Sequence, residues 1–166
     1  SIFHSSKNPN LYCKILAEAK ASSVSSNYPN SLIIGADTIV VLENNILEKP
    51  TDYNHAKSML NMLSGKKHKV YTGVCIQNKE RNLNHIFSQA STVKFRNLNN
   101  KEIEYYINNF PPYDKAGAYG IQDWSAVFVE KISGCYDNVV GFPLSKFFFE
   151  MKKIGINLLD AILETP

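Results

Sequence analysis

SLIIGADTIVVLENNILEKP, residues Ser31 to Pro50, is the stretch that decides how this chain folds. Leu32-Ile33-Ile34 is a short apolar run between turn signals, the pattern of a strand covered on both faces. Gly35-Ala36 then lets the backbone approach a neighbour closely, and Asp37-Thr38 sets a carboxylate and a hydroxyl at the strand's end. A second apolar run, Ile39 to Leu42, follows at once. Asn44-Asn45 turns the chain, and Glu48-Lys49-Pro50 returns a cation to the same region. An acid and a lysine carried on rigid strands suit phosphate chemistry with a metal ion.

Upstream, Ser1 to Lys7 is polar and does not open with a strand, and Asn8-Pro9-Asn10 reads as a helix entry, with Asn8 as cap and Pro9 in the first turn. Leu11, Ile15, Leu16 and Ala19 predict its apolar face, Lys20 stands near its end, and Ser22 to Asn30 is a polar loop. Downstream, Thr51 or Asp52 caps a second helix whose apolar side is Ala56, Met59, Leu60 and Leu63, and Ser64-Gly65 ends it. Lys69 to Ile76 and His85 to Phe95 predict an antiparallel hairpin, with Thr72-Gly73 as a bulge or close approach. Asn99 caps a short helix that Pro111-Pro112 stops. A Gly-punctuated loop, Tyr113 to Gln122, leads to a strand over Ala126 to Ile132. Pro143 opens a further helix that runs to about Lys153 and is closed by Gly155, and an apolar tail (Leu158, Leu159, Ile162, Leu163) docks on the body. Strands interspersed with helices predict an α/β or α+β domain with its ligand cleft between two lobes.

At 166 residues the chain is read as one domain with a sizeable core, and 44% hydrophobic with 20% charged residues is an ordinary globular balance. No apolar run is long enough to span a bilayer and no signal-peptide pattern opens the chain, so the expected compartment is the cytoplasm. A net charge of +3 is too small to single out nucleic acid, though it suits an anionic small molecule. Cys13, Cys75 and Cys135 are an odd number at wide spacing, which fits reduced thiols rather than a disulfide framework or a zinc site. His4, His55, His68 and His85 lack ligand spacing; a hard cation held by a carboxylate and substrate phosphates needs no histidine.

Several residues carry two readings. Asp37 caps a turn or, just past a buried strand, serves as a catalytic carboxylate. Thr38 and Lys49, taken singly, are a strand residue and a solvated lysine. Asp114-Lys115 is a surface ion pair or, beside Gly117 and Gly120, part of a ligand loop. Gln122 is a loop hydrogen bonder by the bland reading. Phe147-Phe148-Phe149 belongs to the core, although not all three can face one way. Lys66-Lys67-His68-Lys69 is a solvated patch or, with Tyr71, a nucleic-acid contact.

Five blocks, in order, resemble the Maf family of nucleotide pyrophosphatases: Gly35-Ala36-Asp37-Thr38; Glu48-Lys49-Pro50; Leu63-Ser64-Gly65 through Val70-Tyr71-Thr72-Gly73; Asp114 through Gln122; and Gly134-Cys135-Tyr136-Asp137-Asn138-Val139-Val140-Gly141-Phe142-Pro143. The last is similar to the family's GSYxNVVGLP segment, with Cys for Ser and Phe for Leu. The similarity runs from about Asn8 to Lys153. It implies a two-lobed α/β fold around an elongated mixed sheet. It also implies hydrolysis of a nucleoside triphosphate to monophosphate and pyrophosphate with a divalent cation, Mg²⁺ or Mn²⁺. By the same resemblance Asp37 is the proton acceptor and a possible metal ligand, Thr38 and Gln122 help select the base, and Lys20, Lys49 and Lys115 bind the triphosphate. The Asp-Thr with Ile-Gln combination is similar to the subgroup acting on dTTP and UTP, with modified pyrimidine nucleotides as further candidates, and a homodimer is implied.

The family's opening strand and Ser-x-Ser-Pro-Arg-Arg loop do not occur in this sequence, so the N-terminal strand and helix of the pattern are expected to be missing. That loop supplies hydroxyl and guanidinium groups to phosphate, and an Arg fork is hard to replace. The competing expectation is therefore a catalytically impaired nucleotide-binding or regulatory domain within a larger protein.

Overall fold

The computed structural model describes residues 8–163, with side chains through Asp160, so the readings of Ser1 to Lys7, His4 and the Ile162 and Leu163 side chains lie outside the described residues. Five strands, β1 (Ile33–Leu42), β2 (Asn45–Leu47), β3 (Lys67–Asn78), β4 (Leu83–Phe95) and β5 (Val129–Ser133), form one sheet in the order β2-β1-β3-β4-β5. The helices are α1 (Pro9–Ser25), α2 (Tyr53–Leu63), α3 (Asn100–Asn109), α4 (Tyr136–Val140), α5 (Leu144–Lys153) and α6 (Leu158–Leu163). The α/β class is as expected; all four strand pairings among the described residues are antiparallel.

Helix starts follow the sequence signals. Asn8 Oδ1 accepts from the Asn10 and Leu11 amides at 3.0 and 3.4 Å. Asp52 Oδ1 accepts from His55 N at 2.8 Å, and Asn99 with Glu102 forms a reciprocal capping box on α3. The four apolar residues expected on the inner side of α2 are all buried.

Helix α1 turns a different face inward. Its buried residues are Cys13, Ala17, Ala21 and Ser25, whereas Leu11 and Ile15 are 57% and 51% exposed. The cause is backbone contact. A Cβ on Gly35 would come 2.3 Å from Ala17 O, and one on Gly73 would come 2.3 Å from Cys13 O. A helix lying that close to a sheet has room only for small side chains at the contact, so Leu11 and Ile15 face away, while Leu16, as expected, packs at its margin beside Cys13 and Ile39. Thr72-Gly73 is thus a close approach within a regular ladder, not a bulge. The helix also extends to Ser25, past the expected loop start, which leaves Lys20 more than a turn short of its end.

Strand β1 runs unbroken, because Gly35 to Thr38 pair with Cys75 to Thr72 of β3 in the same ladder as the flanking apolar runs. Asp37 and Thr38 therefore sit in mid-strand rather than at a strand's end, and Ile34 is half-exposed rather than covered. The segment 126–132 splits, its first part forming a 3₁₀ turn (Trp124–Phe128) before β5 begins. The short helix α4 precedes Pro143, where the sequence predicts no helix.

Opposite α1, the sheet carries two apolar clusters. One joins Val40, Leu42 and Val70 to α2, α3, Tyr119 and Phe128. The other joins Val74, Ile76 and Phe87 to Phe147 and Met151, with Leu158 of α6 packed against it, while Phe149 is exposed. Between them Thr38 and Thr72 face each other across the β1–β3 ladder. These clusters correspond to the expected two lobes.

Candidate functional site

Strand β2 pairs only with Val40 to Leu42, so Ile33 to Ile39 of β1 has no strand partner along its other edge among the described residues. A cavity of about 510 Å³ opens at that edge, within the range of small-molecule sites. Successive strand residues point to opposite faces, so Asp37 lies on the α1 side and Thr38 on the side of the two lobes. Only an unpaired edge lets both line one cavity.

All six residues singled out in the sequence meet there: Lys20, Asp37, Thr38, Lys49, Lys115 and Gln122. Lys20 reaches down from α1 to form an ion pair with Asp37, and its Nζ also donates to Ala36 O at 3.1 Å. The Asp37 side chain keeps only 18% of its surface exposed, against 58% for Lys20. Lys49 arrives from the segment after β2. Lys115 donates to Asp114 at 2.8 Å, and this hydrogen bond, with weaker help from the Lys115 and Lys49 charges, holds the Asp114 carboxyl below its usual range.

The loop that brings Lys115 and Gln122 is fixed at several points. Gly117 and Ala118 both adopt positive φ, 68° and 61°. A Cβ on Gly117 would press within 2.9 Å of Val40, and one on Gly120 within 2.7 Å of the Lys115 stem. Gly117 N donates to Glu48 O at 3.2 Å, and Ser125 Oγ donates to Gly120 O at 2.8 Å. Tyr119 turns into the core, its hydroxyl 2.8 Å from His68 Nε2, and burial pushes the phenol well up. Both oxygens of Asp123 are engaged, one by Ser125 N at 2.8 Å and one by Tyr106 OH at 3.1 Å.

Sequence reasoning did not foresee Tyr119, Asp123 or Thr72 near the site, nor that Val139 to Gly141 form a wall of the cavity. Alternation along β3 gave a usable hint for Thr72, which shares a face with Val70 and Val74. The basic run Lys66 to Lys69 splits on the same strand, His68 being 2% exposed while its neighbours face solvent, so it does not present a continuous basic surface. Burial pushes the His68 imidazole down to about 4.

Among the described residues no group of three His, Cys, Asp or Glu could hold a metal ion. Three carboxylates line the cavity, and Asp123 is committed to the loop. The donor set therefore fits a hard cation only in the mode where substrate phosphates supply most oxygens and Asp37 or Asp114 adds one carboxylate. No described helix is long and apolar enough to cross a membrane. All three cysteines are free, with burial raising the Cys13 and Cys75 thiols to about 11.

Residues 2–154 match the family model described as Maf-like protein. The chain is 47% identical over 152 residues to a dTTP/UTP pyrophosphatase of Geobacillus sp. (strain WCH70), covering 92% of this chain and 81% of that protein. It is 45% identical over 144 residues to a dTTP/UTP pyrophosphatase of Syntrophomonas wolfei, covering 87% and 76%. A third dTTP/UTP pyrophosphatase, from Clostridium botulinum (strain Kyoto / Type A2), is 46% identical over 154 residues, covering 91% and 79%.

Proposed function

This chain belongs to the Maf-like protein family, and on that footing we propose that it is a nucleotide pyrophosphatase that splits dTTP and UTP into the monophosphate and pyrophosphate. The observation that carries the reading is the convergence of the Asp37 carboxylate, three lysines and one amide, drawn from four separate segments, on a single cavity at the open edge of β1.

Each side chain has a chemical part in this proposal. Water attacks the α-phosphorus and passes a proton to the Asp37 carboxylate, while the bond from that phosphorus to the bridging oxygen breaks and pyrophosphate leaves with the oxygen. Lys20 orients the carboxylate. Its ammonium has three N–H donors, so one remains for a phosphate oxygen beside the contacts to Asp37 and Ala36 O. Lys49 and Lys115 meet the charge that grows on the departing pyrophosphate. Thr38 and Gln122 face the base, where unpaired polar groups penalise a mismatched ring edge. A divalent cation, Mg²⁺ or Mn²⁺, when bound with the phosphates would neutralise their charge, with Asp37 and Asp114 as the available protein carboxylates. Homodimerisation, which comes from the same resemblance, and residence in the cytoplasm are proposed with it.

Pyrophosphate and monophosphate release from dTTP, UTP, dCTP and dGTP in Mg²⁺ or Mn²⁺ tests this reading. The expected result is turnover of dTTP and UTP that falls about 100-fold or more in Asp37→Asn with the fold intact. Full turnover in that variant removes Asp37 as the base, and preferred cleavage of dGTP removes the pyrimidine assignment.

A further inference from the structure

The polar belt beneath the cavity has a direction, and it bears on which base the site accepts. Thr38 Oγ1 lies 2.9 Å from Thr72 Oγ1 and 3.2 Å from Gly141 O. Thr72 Oγ1 in turn lies 3.1 Å from Asn138 O. Asn138 is itself pinned, its amide donating to Val70 O at 3.0 Å and to Ser91 Oγ at 2.9 Å. Ser91 Oγ then closes onto the backbone of Cys135. The belt thus ties α4 and the wall Val139 to Gly141 to three strands.

Each threonine hydroxyl has one proton. Asn138 O lies at the end of α4, where the Gly141 and Phe142 amides both turn to Asp137 O instead. Asn138 is fully buried and Gly141 only half-buried, so the carbonyl that most needs a donor is that of Asn138. In the arrangement that satisfies it, Thr72 gives its proton to Asn138 O and takes the proton of Thr38. The other self-consistent arrangement, Thr72 donating to Thr38 and Thr38 to Gly141 O, sends the Thr38 proton inward as well. In both cases Thr38 turns only lone pairs toward a ligand.

We propose that Thr72 is a positioning residue for base selection: by engaging Thr38 it leaves that hydroxyl an obligate acceptor, so the site takes a ring that offers an N–H there. Thymine and uracil do so at N3, whereas cytosine presents a lone pair at N3 and meets Thr38 acceptor to acceptor. This inference rests on the pyrophosphatase reading and on Thr38 facing the base. Removing the Thr72 hydroxyl leaves only the longer bond to Gly141 O, at 3.2 Å, to hold the Thr38 proton, so turning that proton outward to a ligand costs less and the choice relaxes.

The test is a competition between dTTP and dCTP in one reaction, read as the ratio of the two monophosphates formed. Because the ratio is taken within one sample, any unfolded fraction cancels. The native chain is expected to favour dTTP, Thr72→Val to lower that preference about tenfold or more, and Thr72→Ser to restore it. An unchanged ratio in Thr72→Val overturns the proposal while leaving the pyrophosphatase reading in place. Equal cleavage of dTTP and dCTP by the native chain does the same. Should Thr72→Val not fold, the native chain with N3-methyl-dTTP decides: cleavage as fast as dTTP overturns the proposal, and a drop of about tenfold or more supports it. A native chain that cleaves no pyrimidine triphosphate overturns the pyrophosphatase reading first, and this inference with it.

Discussion

The two faces of the sheet are packed by opposite means. On one, α1 presses backbone to backbone against Gly35 and Gly73, with only Cys13, Ala17 and Ala21 between, and nothing larger than a methyl or a thiol fits. On the other, long side chains from α2, α3 and α5 gather into two clusters, and the gap between them is bridged by hydroxyls and an amide. Close backbone packing fixes distance and leaves no room. Side-chain packing over separate clusters leaves a cleft, and polar groups hold its floor. The cavity needs both, since Asp37 stands on the tight face and Thr38 on the open one.

If this contrast is right, the largest effect comes from the tight face. Gly73→Val places side-chain atoms inside the Cys13 backbone, which cannot yield without moving α1. The expected loss exceeds about 4 kcal/mol in denaturant unfolding, beyond ordinary point substitutions. A cost near 1 kcal/mol would show that α1 floats. On the open face Phe95→Ala removes a fully buried ring that makes edge contacts with His68 and Tyr119. The expected cost is about 3–4 kcal/mol, smaller because neighbouring side chains relax into part of the space.

The next effect depends on pH. The folded state keeps His68 neutral down to about 4, against 6.5 when unfolded, so the unfolded chain binds the extra proton between those values. Stability is therefore full above pH 6.5 and declines as the pH falls toward 4, by on the order of 3 kcal/mol in all. Melting temperatures across that window should show the decline, and His68→Phe should flatten it. The smallest effect belongs to the outer side of α1. Leu11→Ser and Ile15→Lys are expected to shift stability by no more than about 0.5 kcal/mol, since neither side chain is buried. A large loss for either would return these residues to the core, where their helical spacing alone had placed them.

Much of this was legible from local chemistry. Helix caps at Asn8, Asp52 and Asn99 depend on a side chain and amides two or three positions away, so sequence suffices to see them. The β3–β4 hairpin and the inner face of α2 follow from periodicity. The face of α1 was misread because its periodic apolar residues are not the ones with the closest neighbours. That choice was made by two glycines, Gly35 lying 18 and 14 residues beyond the Ala17 and Ala21 it touches, and Gly73 lying 60 and 59 beyond Cys13 and Lys14. The continuity of β1 was misread for a similar reason, since Gly35 to Thr38 are held in strand by β3 rather than by their own propensity.

The types of the six site residues and their chemistry were present in the sequence, because ionisation and hydrogen-bonding capacity belong to the side chain itself. Their meeting was not, because it requires the unpaired edge of β1, which lets adjacent residues of one strand open onto the same cavity from opposite faces. The Thr38–Thr72–Asn138 relay was likewise visible only in three dimensions. A hydroxyl can donate or accept, and which it does is fixed by the buried carbonyl nearest to it and by nothing in its own chemistry.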